Sequence, residues 1–301
     1  MKRFSRWVGA FGLVAALSPA FAQSAPPEIA MIPANPAMWT VHGTKGTAYL
    51  FGSIHVLPPN MQWRTPRIDA AMKSADTFYF EVPMDDSAKA QILDFVQKNG
   101  SLPAGTTLPS LLTPEARADY DAVLQLTHVP PGALENRRPW LAMLFLDVAM
   151  LTQQHLSPDA GLDKQVYAAA QAIGGKSFGA FETPEQQFAL VMPKNKKLEI
   201  EEFDVQLKDL RTDSMSLGGM IDAWAHGDVK TLGRIINAGF KGHPEAEKSL
   251  FADRNAAWMT QLKVMLNEPH TYFITVGAGH LAGPKGVPAL LRAKGYRVEG
   301  P

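Results

Sequence analysis

Two stretches at opposite ends of the chain repeat one local pattern, and the repetition constrains the fold more than any other feature. Thr47-Ala48-Tyr49-Leu50-Phe51 runs into Gly52-Ser53-Ile54-His55, and Tyr272-Phe273-Ile274-Thr275-Val276 runs into Gly277-Ala278-Gly279-His280. Each is an aromatic-aliphatic run of strand character closed by Gly-x-x-His. A glycine directly after a buried strand lets the backbone turn at the strand's carboxyl end, where open α/β sheets place their ligands, and it delivers the histidine into that crevice. If both turns belong to one sheet, the two imidazoles converge. The competing reading is that each histidine caps its strand or meets a backbone carbonyl.

The flanking sequence supplies the sheet. Trp39-Thr40-Val41-His42 and residues 47–51 enclose Gly43-Thr44-Lys45-Gly46, which predicts a hairpin. Thr65-Pro66 opens a helix to about Ser74, and residues 77–82 return as a strand, a strand-helix-strand unit. Residues 85–171 read as helical, with Thr113-Pro114 opening one helix and the apolar run 140–146 marking a buried one. A short strand is expected at 177–181, then the capping box Thr183-Pro184-Glu185-Gln186 and helices, with breaks, to Asn267. Strand 271–276, helix 288–294 and strand 296–299 close the chain. The predicted fold is α/β (α+β), a central sheet built from N- and C-terminal strand-helix-strand units, with a mostly helical middle insertion.

Composition narrows the function classes. With 46% hydrophobic residues the 301-residue chain has enough apolar material for a large core. Lys+Arg and Asp+Glu both number 29 and no long block of one sign occurs, so no nucleic-acid partner is expected. The absence of cysteine excludes disulfides, thiolate metal sites and a cysteine nucleophile. Lys2, Arg3 and Arg6, the apolar residues 7–17 and Ala20-Phe21-Ala22 compose a cleavable signal peptide over 1–22. That apolar run is shorter than the roughly 20 residues of a membrane span, and no later stretch is long enough. An exported protein, periplasmic or secreted, is expected, with an extended lead-in at 23–37 and a single domain over 38–301.

A third group joins the two histidines. Glu81 follows Phe78-Tyr79-Phe80 at the end of its strand, so its carboxylate is expected at the same edge. His55, His280 and Glu81 form a ligand set for a divalent metal ion: zinc, manganese, iron or cobalt. Bound water there falls towards a pKa of ~7, as hydrolysis near neutral pH requires. Glu81 is alternatively a general base or a structural ion-pair member. Glu182, between a strand and a capped helix, is a second catalytic carboxylate or a charge at a helix N-terminus. Arg254 is a catalytic candidate that would bind a substrate carboxylate or steady a ligand glutamate, and is otherwise a solvated helix arginine, with Asn255 beside it as a substrate-binding residue. Phe251, Ala257, Trp258 and Leu262 are expected on the buried face of their helix.

Several segments together resemble the TraB/PrgY/GumN family, which includes the animal Tiki proteins: Leu50-Phe51-Gly52-Ser53-Ile54-His55, Phe80-Glu81, Phe181-Glu182-Thr183-Pro184-Glu185-Gln186, Asp253-Arg254-Asn255-Ala256-Ala257-Trp258, and residues 276–283. The resemblance extends over roughly 38–299 and implies that His55, His280 and Glu81 are functional. Tiki members are described as metal-dependent proteases, and bacterial relatives are linked to peptide-pheromone shutdown or exopolysaccharide gene clusters. Ser53 stands where the family often has Thr, and Glu81-Val82-Pro83 departs from Glu-hydrophobic-Asp, leaving Asp85 or Asp86 as substitutes for that acid. The resulting expectation is a metal-dependent hydrolase of peptides or other small substrates. The alternatives are a non-catalytic peptide- or saccharide-binding protein and an accessory factor of surface-polysaccharide production. Gly175-Lys176-Ser177-Phe178-Gly179 imitates a nucleophile elbow, but there a helix precedes and a strand follows, the reverse of the required order.

Overall fold

The computed structural model describes residues 30–193, 195–212 and 217–301; the expected signal segment lies outside them. Strands β1 (Ile32–Pro33) and β4 (Met61–Gln62) form a small parallel pair. The remaining strands, β2 (Met38–His42), β3 (Thr47–Ser53), β5 (Thr77–Phe80), β6 (Ser177–Ala180), β7 (Thr271–Gly277) and β8 (Arg297–Glu299), make one sheet in the order β6-β5-β7-β3-β2-β8. Strands β6, β5, β7 and β3 are mutually parallel, while β2 runs antiparallel to both its neighbours. The fold is therefore mixed α/β, with a central sheet drawn from both ends of the chain and joined at one edge by β6 from the middle.

Strand β7 lies between β3 and β5, the two strands of the N-terminal unit. Five of its seven residues in a row are buried, the signature of a strand covered on both faces. Its register sets the site: Ser53 pairs with Gly277, so β3 and β7 end level, and Phe80 pairs with Thr275, so β5 ends two residues short and Glu81 follows beside them. Strand β8 pairs at the far edge, against β2 rather than near β7.

The pleat sorts side chains between two cores. Phe51, Phe78, Phe80 and Phe273 face the larger one, with the Phe273 ring 5.7 Å from Phe51 and 5.4 Å from Phe78. Leu50, Ile274 and Val276 face the smaller one. The larger core is roofed by α1 (Pro66–Ser74) of the N-terminal unit and by the insertion: α2 (Asp86–Asn99), α3 (Pro114–Thr127), α4 (Pro139–Gln153), α5 (Leu162–Ile173), α6 (Pro184–Val191), α7 (Lys196–Thr212), α8 (Gly218–Ala225), α9 (Val229–Gly239) and α10 (Pro244–Glu247). A wide turn, Lys248–Ala252, then leads into α11 (Asp253–Asn267), which with α12 (Val287–Ala293) covers the other face.

Local chemistry starts these helices where the spacing predicts. The Thr65 and Thr113 hydroxyls accept the backbone N–H groups of Ile68 and Ala116, and proline occupies the first turn of each helix. Thr183 and Gln186 make the reciprocal capping box. In α11, by contrast, Ala257 is exposed: the buried stripe is Arg254, Asn255, Trp258, Leu262, Met265 and Leu266. Two polar residues occupy the inward face, which moves Ala257 off it. Among the described residues no helix is long and apolar enough to cross a membrane.

Candidate active site at the carboxyl edge of the sheet

His55, Glu81 and His280 are delivered by the ends of β3, β5 and β7. An ideal Cβ built on Gly277 would lie 3.0 Å from Glu81 Oε1, 3.7 Å from His55 Nε2 and 3.7 Å from His280 Cδ2. Three groups from distant parts of the chain therefore crowd one glycine, and its N–H donates to Glu81 Oε1 at 2.6 Å. Backbone bonding between β5 and β6 continues past the strands, through Phe181 N–H to Phe80 O at 3.0 Å and Glu182 N–H to Glu81 O at 2.9 Å, which makes Glu81 and Glu182 neighbours.

Arg254 joins these carboxylates. Its Nε donates to Glu182 Oε1 (2.7 Å) and its Nη2 to Glu182 Oε2 (3.0 Å) and Glu81 Oε2 (2.5 Å). Its Nη1 donates to the Leu250 carbonyl (3.0 Å) and His280 Nε2 (2.8 Å). All five N–H groups of the guanidinium are thereby engaged. Glu182 also accepts from Trp258 Nε1 (2.8 Å) and Gln187 Nε2 (2.6 Å).

The tautomer of His280 follows from this geometry. A guanidinium can only donate, so Nε2 is the acceptor and Nδ1 carries the hydrogen, which it donates to Asn255 Oδ1 at 2.6 Å. Asn255 Nδ2 in turn donates to the His280 and Lys285 carbonyls. Burial and the Arg254 charge lower the His280 pKa to about 3, so the ring is neutral. His55 differs: its Nδ1 donates to Asp163 Oδ2 at 2.6 Å. Burial works to lower its pKa, but the charge and hydrogen bond of Asp163, with Glu81 adding, raise it to about 9. Burial works to raise Glu81, but the charge of Arg254, with the neighbouring histidines and the Gly277 N–H adding, holds it well below the usual carboxylate range.

Asp163 reaches His55 because the start of α5 is strapped to the loop after β3. Leu162 N–H bonds to Ile54 O at 3.0 Å, and Leu57 pairs with Ser157. A Cβ on Gly161 would lie 2.3 Å from the His55 carbonyl oxygen, so only glycine permits the approach. Neither Asp163 nor Gln187 stands out in the sequence, where an acid in a helix's first turn reads as a dipole partner. Asp85 and Asp86 do not join the site: Asp85 caps α2 through Ala88 N–H, and Asp86 is exposed and pairs with Lys89. Asn255, expected to meet substrate, has its amide engaged by His280 and the backbone.

The donor chemistry fits a cation: each imidazole has Nδ1 held by an oxygen acceptor, the usual orienting partner of a metal-binding histidine, and the carboxylate is ionised. As arranged, however, no three His, Asp or Glu side chains among the described residues are disposed to hold one ion. The guanidinium of Arg254 takes His280 Nε2 and Glu81 Oε2, a cation of the protein's own at that place.

The model of the TraB/PrgY/gumN family matches residues 37–300. The uncharacterized protein YbaP of Escherichia coli (strain K12) is 24% identical over 245 residues, 81% of this chain and 87% of that protein, and YbaP of Shigella flexneri is equally similar over 246 residues. The metalloprotease TIKI1 of Danio rerio is 24% identical over an alignment covering 88% of this chain and 63% of its own length. No solved structure matches. With the family model spanning nearly the whole described fold, and the shared turns forming its one convergent edge, the chain belongs to the TraB/PrgY/gumN family.

Proposed function

We propose that this chain is an exported, metal-dependent hydrolase that cleaves peptide bonds. The observation that carries the reading is the meeting of His55, Glu81 and His280 around Gly277 with both Nδ1 atoms anchored. Similarity to a metalloprotease supports the reaction class, and the basic, apolar and small-residue run of 1–22 supports export.

In this reading the ligands are the Nε2 atoms of His55 and His280 and the carboxylate of Glu81. A divalent ion there, manganese, cobalt, zinc or iron, supplies polarisation of a carbonyl oxygen and acidification of water. Asp163 and Asn255 fix the two tautomers, so Asn255 is assigned to positioning. Arg254, clamped side-on by Glu182, neutralises Glu81 and offers positive charge to an anionic group of substrate or transition state. It must release His280 Nε2, whose single lone pair it occupies, before that nitrogen can serve as a ligand.

The complete engagement of Arg254 favours a second reading, a non-catalytic protein that binds a peptide or saccharide in the same cleft. Elemental analysis of purified protein, with peptide-library cleavage measured with and without chelator, separates the two. Turnover that chelator abolishes and added metal restores is the expected result. Saturable peptide binding with no turnover under any of the four metals would overturn hydrolysis.

A further inference from the structure

The cleft at the sheet edge has two lobes that meet at His55 and Glu81. The lobe beneath α5 and α6 is walled partly by polar residues, among them Asp163, Lys164 and Gln187. The other has His55, Glu81 and His280 on its floor and a wall of Leu217, Met220, Leu232, Ile236 and Phe251. That wall comes from the insertion: Met220 lies on α8, Leu232 and Ile236 on α9, and Phe251 in the turn before α11. The insertion is pinned over the sheet edge by Trp224 Nε1, which donates to the Gly52 carbonyl at 2.7 Å.

One polar side chain outside the His-Glu-Arg network lines this lobe. Ser53, the last residue of β3, is 1% exposed, and its Oγ has no hydrogen-bond partner in the structure. Buried hydroxyls in folded proteins are paired, so an orphan at the rim of a cavity marks a position that a ligand atom or water completes. An apolar wall with a few convergent polar groups is the usual build of a site that orients a ligand through its polar atoms and recognises it by apolar contact.

We infer that this lobe receives an apolar side chain of the substrate, of leucine, methionine or phenylalanine type, from a residue flanking the cleaved bond, and that Ser53 Oγ meets a main-chain polar atom of that residue. The inference rests on the peptidase reading for the bond that is cut, and on the cavity alone for what is bound. Continuity with the floor residues commits the occupant to the molecule being processed. A charged side chain there would lose its hydration against five apolar walls with no counter-charge facing it except the site's own network.

The test is equilibrium binding of blocked dipeptides to the full mature chain in the presence of chelator, so that binding is read without turnover. N-acetyl-alanyl-leucine amide and its phenylalanine analogue are expected to bind at least about tenfold tighter than the aspartate and lysine analogues. Ile236→Trp, which fills the lobe, should remove that preference, and Met220→Ala, which widens it, should move it from leucine towards phenylalanine. Ser53→Ala should weaken all four peptides by a similar factor. If Ile236→Trp fails to fold by thermal melting, Met220→Ala and Ser53→Ala still decide. Equal affinity for apolar and charged peptides, or a preference that Met220→Ala leaves unmoved, would overturn the assignment. Selective binding with no cleavage under any metal would uphold it while defeating the hydrolase reading.

Discussion

His55 and His280 close two copies of the same turn, on neighbouring parallel strands offset by one residue, yet their surroundings are opposite. His55 has an anion at its Nδ1, remains 11% exposed at the cleft, and is pushed up to about 9. His280 is 2% exposed, has a cation at its Nε2, and is pushed down to about 3. A motif delivers an imidazole to an edge; the helix that docks behind it decides the proton. For His55 that helix is α5, bringing Asp163, and for His280 it is α11, bringing Arg254 and Asn255. The asymmetry resembles the division of labour in sites where two like groups take different protonation states because their environments differ.

The largest effect is expected from removing the cation on the His280 side. Arg254→Met leaves Glu81 and Glu182 buried together without their shared counter-ion, and loss of one partner of a buried pair costs about 3–5 kcal/mol. Chemical denaturation measures it. A variant as stable as the parent would mean that Glu81 is not held ionised by Arg254.

Next come the histidines themselves. His280→Ala leaves Arg254 Nη1 and Asn255 Oδ1 without their partner and should destabilise by roughly 1–3 kcal/mol per buried group left unpaired. His55→Ala leaves a partly exposed Asp163 that water can solvate, so a loss of about 1 kcal/mol or less is expected. Both variants should lose bound metal. Equal melting temperatures would remove the contrast; retention of metal by both would remove the ligand assignment.

The pH dependence of the metal-free protein should show the two histidines as separate limbs. The His55 pKa is raised from 6.5 to about 9, so its contribution is fully present below pH 6.5 and is lost as the pH rises through 9. The His280 pKa is lowered from 6.5 to about 3, so stability falls as pH drops from 6.5 towards 3, where the unfolded chain takes up a proton that the folded ring refuses. Glu81 adds to the acid limb below the ordinary carboxylate range, because its stabilisation is lost only as pH falls through its depressed pKa. Melting curves across pH 3 to 10 check this, and an alkaline limb that survives in His55→Ala would refute its assignment.

The smallest change is expected from Asp163→Asn. It keeps a hydrogen-bond acceptor beside Nδ1 but removes the charge, so His55 should titrate back towards its ordinary value, with a stability change of about 1 kcal/mol. Histidine ring signals followed by NMR against pH report it directly. An unmoved His55 would show that Glu81, and not Asp163, sets its proton.

Much of this arrangement is legible residue by residue. The hairpin joins strands next to each other in the chain, and the Thr-Pro helix starts and the Thr183–Gln186 box are made by groups three positions apart. The candidate site is legible where a residue ends a strand or belongs to a repeated turn: His55, Glu81 and His280, with Glu182 one register step from Glu81. Asp163 and Gln187 escape because they sit on helices whose docking, not whose sequence, brings them in. Ala257 is placed on the wrong face because a helix phase inferred from apolar spacing assumes an apolar interior, and here Arg254 and Asn255 occupy it.

By itself, then, the sequence determines the elements, their caps and the delivery of two imidazoles and a carboxylate to strand ends, because those depend on φ/ψ preferences and alternation over a few residues. Tertiary structure alone decides that β7 enters between β3 and β5, more than 190 residues away along the chain, through a ladder that any buried apolar strand could join. It also decides the proton on each histidine, since a pKa is set by the charges and burial around a ring, and those come from α5 and α11 only when they pack.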